Sequence, residues 1–161
     1  MNICPETTPI ILGHEPAASN ALLDTSKPIN LENCKGVLII VTEYTAGGDT
    51  DLALTVHEGA TAALATAGAT PIAKTFPIWV CTDGVTTDAM VRQTDAVGYT
   101  IDATPTTNHV VAMYISSSIL TEGRPWICLG AAGGNAANIV SVLYILDGAR
   151  YQQTTPPTAF A

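Results

Sequence analysis

The apolar residues of this chain fall mostly at period two, in short runs punctuated by Gly, Pro and Asn. Asp51–Glu58 alternates cleanly, with Leu52, Leu54 and Val56 on one side and Thr55 and His57 among those on the other. His109–Ser116 repeats the pattern, Val111, Met113 and Ile115 opposing Val110, Ala112 and Tyr114. Ile139–Leu146 does so again through Val140, Val142, Tyr144 and Leu146. Period two is the signature of a half-buried strand, because successive side chains point to opposite faces. Val37–Val41 is different: Val-Leu-Ile-Ile-Val has no polar side, as expected of a strand covered on both faces. Further strands are predicted over Pro77–Thr82, Ala89–Gln93 continuing through Val97, Tyr99 and Ile101, and Trp126–Leu129.

Turn chemistry separates these runs. Thr45–Thr50 contains Gly47-Gly48-Asp49 and predicts an antiparallel hairpin between its flanking strands. Asp83-Gly84, Thr104–Asn108 and Glu122–Pro125 mark further turns, and residues 59–75 read as a loop with one helical turn. Seven or eight strands so spaced predict an all-β fold: a single antiparallel β-sandwich, jelly-roll-like, over residues 36–150. Residues 1–35 carry Pro5, Pro9, Pro16 and Pro28, which rule out a long helix or a central strand. They are expected to form an extended N-terminal arm whose apolar clusters lie on the domain or on a neighbour. Residues 151–161, with Pro156-Pro157, are expected to form an extended C-terminal tail.

Composition narrows the partners. Six Lys plus Arg against fourteen Asp plus Glu give a net charge of −8, and only 12% of residues are charged. A surface so poor in cations cannot track phosphates, which argues against nucleic-acid binding. The 47% hydrophobic content argues against disorder. The first residues lack a basic region followed by an apolar run, so no secretory signal is expected, and no stretch approaches the ~20 apolar residues of a membrane helix. Cys4, Cys34, Cys81 and Cys128 are far apart, without metal-ligand spacing, and are expected to be buried thiols of a protein made in a reducing cytoplasm.

Candidate chemistry is thin. Gly130–Asn135 lacks the Lys of a phosphate loop, so a turn is the better reading. His14, His57 and His109 have no metal-spaced partner, and His57 with Glu58 reads as part of a solvated strand face. Asp49 and Asp51 could offer oxygens to calcium, but a full cage needs about six ligands, and a hairpin tip explains them as well. Ser116-Ser117-Ser118 has no base beside it. Trp79 and Trp126 could stack on sugars but read better as core or interface anchors. The chain is therefore not expected to be an enzyme, and no cofactor or metal is implied.

The segment Gly134–Ala159, with its Leu-Tyr-Ile-Leu strand running into Ala149-Arg150-Tyr151 and a Pro-Pro tail, resembles the ending of small virion proteins encoded near the major capsid gene of tailed bacteriophages. Met90–Asp102 and Gly36–Gly59 are similar to the same group, so the resemblance spans residues 36–161. It implies a capsid decoration (cement) protein located on the virion surface, whose partners are the major capsid protein and further copies of itself, with a homotrimer the favoured assembly. A head-fibre, neck or tail component with a host- or carbohydrate-recognition role is the alternative. Intersubunit contacts are expected from the two ends of the chain, through Ile10, Ile11, Leu12, Leu22 and Leu23 and through Arg150, Tyr151, Pro156, Pro157 and Phe160.

Overall fold

A computed structural model describes residues 8–22, 26–46, 50–66, 70–104 and 107–149. Within these the strands are β1 (Ile10–Ala18), β2 (Ile29–Asn30), β3 (Cys34–Tyr44), β4 (Leu52–Gly59), β5 (Thr70–Pro71) and β6 (Ile78–Cys81). They continue as β7 (Val91–Arg92), β8 (Gly98–Ile101), β9 (Asn108–Ser116), β10 (Trp126–Gly133) and β11 (Ile139–Ala149), and one short helix, α1 (Ala62–Thr66), follows β4. Two antiparallel sheets result. The larger has the order β1-β11-β3-β9-β6-β7, and the smaller β2-β10-β4-β5 with β8 also paired to β4. They pack face to face as a β-sandwich.

The alternation in the sequence sets the two inner faces. Val37, Ile39 and Val41 of β3, Val111, Met113 and Ile115 of β9, and Val140, Val142, Tyr144 and Leu146 of β11 are buried from the larger sheet. Leu52, Leu54 and Val56 of β4 and Ile127 and Leu129 of β10 meet them from the smaller one. At roughly 1.5–3 kcal/mol for each fully buried large aliphatic side chain, this interlayer core dominates the folding free energy.

Tyr144 ties the layers together. It is wholly buried, and its hydroxyl accepts a hydrogen bond from the Leu129 amide of the opposite sheet at 3.2 Å. The Ser26 hydroxyl donates to the Leu129 carbonyl. β2 pairs with β10 only at Trp126 and Ile127, so these two side chains satisfy the backbone groups of Leu129 where that strand has ended. Gly13 leaves room for the ring: a Cβ there would stand 2.5 Å from Tyr144 Cε2.

Several expectations change. The predicted hairpin around Thr45–Thr50 does not form, because β3 pairs with β11 and β9 while β4 pairs with β10, β5 and β8. The connection instead crosses from one sheet to the other, pinned by Thr45, which is buried and exchanges hydrogen bonds with Thr107. Both strands have two-sided demand for partners, which a two-strand ribbon cannot meet. Part of the expected N-terminal arm is integral to the sandwich: Ile10–Ala18 is an edge strand against β11, and Ile29–Asn30 adds to β10. Register shifts around His14 and before Ala17 bulge β1, and Pro16 sits at the second, where an edge strand needs no donor. Leu22, expected at an interface, is fully buried in the core. The expected strand over 89–93 shrinks to Val91–Arg92. The C-terminal tail over 151–161, together with Leu23, Arg150, Tyr151, Pro156, Pro157 and Phe160, lies outside the described residues.

Candidate interaction surfaces

The outer face of the larger sheet follows from register. Side chains of Leu12, Leu143, Ile40, Ala112 and Trp79 stand side by side across β1, β11, β3, β9 and β6. A parallel row runs Ile10, Ile145, Leu38 and Tyr114. A third is Ser141, Thr42, Val110 and Cys81, and a fourth Ile139, Tyr44 and Asn108. Ile10, Leu12, Tyr44 and Ile139 are 44–50% exposed, Leu38, Ile40, Leu143 and Trp79 are half-buried, and Ile145 and Cys81 are buried. Val37–Val41 has the composition of a doubly covered strand, yet among the described residues only one of its faces is covered.

These rows contain no Asp, Glu, Lys or Arg. Charge is confined to the borders. Asp147 accepts from the Tyr114 hydroxyl at 2.6 Å, and burial followed by this bond pushes the phenol up to about 12. Arg92 lies over the Trp79 ring, 5.0 Å from its centre, and pairs with Asp95. Thr42 and Ser141 satisfy each other through a 2.7 Å hydroxyl contact. A shallow depression of about 390 Å3 opens at the Thr42–Tyr44–Ile139 end of the face.

A second surface is the excursion between β6 and β8. Val85 is 73% exposed, Val91 59%, Val97 45% and Met90 39%, in a segment tied back by the short β7 pairing, the Phe76–Ala96 bridge and hydrogen bonds from the Gly84 amide to Asn108 and the Cys81 thiol to Thr87. Its base is held by Asp83, whose carboxylate accepts from Thr86 and the Val85 amide, holding the acid below the usual carboxylate range. Apolar side chains on a segment without a core of its own are surface available for a partner.

The buried polar end of the sandwich offers less chemistry. Glu43 is 2% exposed and lies opposite His109 in register, with neither carboxylate oxygen in good hydrogen-bond geometry, although Ser19 and Asn138 border it. Burial raises its pKa and lowers that of His109, which contacts Thr107 at 2.9 Å. Each group is thereby biased to its neutral form. Glu58, expected on a solvated face, is buried and accepts from Thr121, with Arg124 at 3.7 Å. Asp51 accepts from the Ala103 amide and Ser116 caps the short turn after β9. Gly130–Gly133, expected as a turn, instead extend β10 against β4, and Gly133 and Gly134 take positive φ where the strand ends. Cys34, Cys81 and Cys128 are buried thiols, and no cluster of three metal-ligating side chains occurs among the described residues. No helix among them is long and apolar enough to cross a membrane.

Of the interface residues expected from sequence, Ile10 and Leu12 lie on the outer sheet face, while Ile11 packs partly against the core. Sequence reading missed Leu38, Ile40, Leu143 and Ile139 as surface, and Val85, Val91 and Val97 as exposed. The unbroken run at Val37–Val41 was the available signal for the first group. No protein-family model, curated protein or solved structure matches the chain.

Proposed function

We propose that this protein is a structural component of a tailed-phage head that binds and stabilises the major capsid shell as a decoration protein. The observation that carries the reading is the exposed excursion bearing Val85, Met90, Val91 and Val97. It overlaps Met90–Asp102, one of the segments resembling the phage virion group. An exposed apolar segment at the β7 edge of the sandwich suits a partner that offers shallow clefts between subunits, where short side chains lose little rotamer entropy on ordering. The net charge of −8 disfavours adhesion to packaged genome, leaving the outer shell as the surface to bind.

The test is copy number and a surface variant. Purified heads should carry the protein at near-stoichiometric ratio to the major capsid protein. A few copies per particle would instead indicate the neck, tail or fibre role, and absence from particles would overturn both. The double variant Val85→Asp, Val91→Asp should fold normally, since both side chains are exposed, and should lose head binding by roughly tenfold or more. Unchanged decoration by that variant would remove the excursion from the interface.

A further inference from the structure

We infer that the outer face of the larger sheet is an isologous interface between two copies of this chain, with the two-fold axis running along β3. This stands apart from the capsid reading, which rests on the excursion.

Three observations support a second copy as the occupant. The first is charge. Each copy carries −8, so like copies repel over most of their surface, whereas the four side-chain rows from β1 to β6 hold no ionised group, and Arg92 of β7, next to Trp79, is paired with Asp95. The second is area. Five strands about 4.8 Å apart, four of them nine to eleven residues long and β6 four, present on the order of 600 Å2 before side-chain relief is counted. That approaches the ~800 Å2 per partner of a standard stable interface.

The third is shape. β3 is flanked by β11 and β1 on one side and by β9 and β6 on the other. A two-fold axis along β3 therefore lays each transverse row over its own reverse. Leu12 meets Trp79, Leu143 meets the small Ala112, and Ile40 meets its own copy. One of these pairings sets a bulky residue against a small one, and every pairing in the row is apolar, as the packing of two sheet faces requires. The open edge does not compete: β1 is bulged twice and carries Pro16, which discourages strand-to-strand addition. Pairing by the face also explains why Leu38 and Ile40 are apolar although nothing in the described chain covers them.

The experiment uses the full chain and the exposed residue Thr42, which lies on β3 and so faces its own copy across the axis. Light scattering after gel filtration should find the wild type as a dimer or an even-numbered assembly. Thr42→Lys and Thr42→Glu, checked for unchanged circular dichroism, should each weaken assembly by roughly tenfold or more, because each places like charges together. Mixing the two variants should restore a heterodimer. A second variant, Ile40→Lys, should dissociate the assembly as well. A monomeric or strictly trimeric wild type overturns the inference, as does persistence of the dimer in both Thr42 variants or failure of the mixture to reassociate. A monomeric wild type that dimerises only when truncated after Ala149 also overturns it, and assigns the face to the chain's own last residues.

Discussion

Replacing Tyr144 by Phe tests how the two layers of the sandwich are joined. The ring stays, so apolar packing is nearly conserved, and what is lost is one hydroxyl. That hydroxyl accepts the Leu129 amide at 3.2 Å in a fully buried setting, on the side of β10 that β2 no longer covers. Without it the amide is a buried donor with no replacement strand beside it. Such an orphan costs about 1–3 kcal/mol, against about 0.5–1.5 for a typical net hydrogen bond. For a chain of this size each kcal/mol lowers Tm by about 2–4 °C, so a fall of about 2–12 °C is expected. Urea unfolding should show a lower midpoint at unchanged slope, since the surface exposed on unfolding is the same. Ser26→Ala removes the donor to the neighbouring Leu129 carbonyl, and Ser26 also bonds Tyr144. The two substitutions should therefore be non-additive by about 0.5–3 kcal/mol in a double-mutant cycle. A Tyr144→Phe protein within about 0.3 kcal/mol of wild type would refute the view that this phenol stands in for a missing strand.

Two further outcomes follow from the same core. Gly13→Ala should destabilise the fold by about 1–3 kcal/mol, because its Cβ would lie 2.5 Å from a Tyr144 ring that is buried on all sides; an unchanged urea midpoint would show that the ring has room to move. For Glu43, burial raises the folded pKa above the unfolded value, so the folded state holds its proton longer. The group's stabilising contribution is complete below the unfolded pKa and is lost as pH rises through the folded one. Glu43→Gln should accordingly be more stable than wild type at neutral pH, with the gap closing toward acid, and a gap that widens toward acid in pH-dependent thermal melts would contradict this sign.

The inner half of the fold was legible residue by residue. Alternation at Leu52–Val56, Val111–Ile115 and Val140–Leu146 determines which side chains face inward, because a strand has only two faces and one of them must leave water. The Gly-rich and Pro-containing turns likewise set where strands end. The chain order of the β-sandwich could be read this far from local pattern alone.

Pairing is a different matter, since it depends on which strands offer free edges to one another. Thr45–Thr50 has the composition of a hairpin turn, yet β3 and β4 belong to opposite sheets, because each is central and needs two other partners. Pro16 does exclude a central strand, but an edge strand with bulges accommodates it, so residues 10–18 join the sheet. Glu58 and Leu22 are buried by residues distant in sequence, which no local period reveals. The same holds for the two surfaces. Val37–Val41 declares by itself that both its faces avoid water, and that much the sequence determined. Only the tertiary structure decided that one face meets the opposite sheet while the other, aligned with Leu12, Leu143, Ala112 and Trp79, becomes a continuous uncharged surface. Register between strands far apart in the chain is what makes scattered apolar residues into a face.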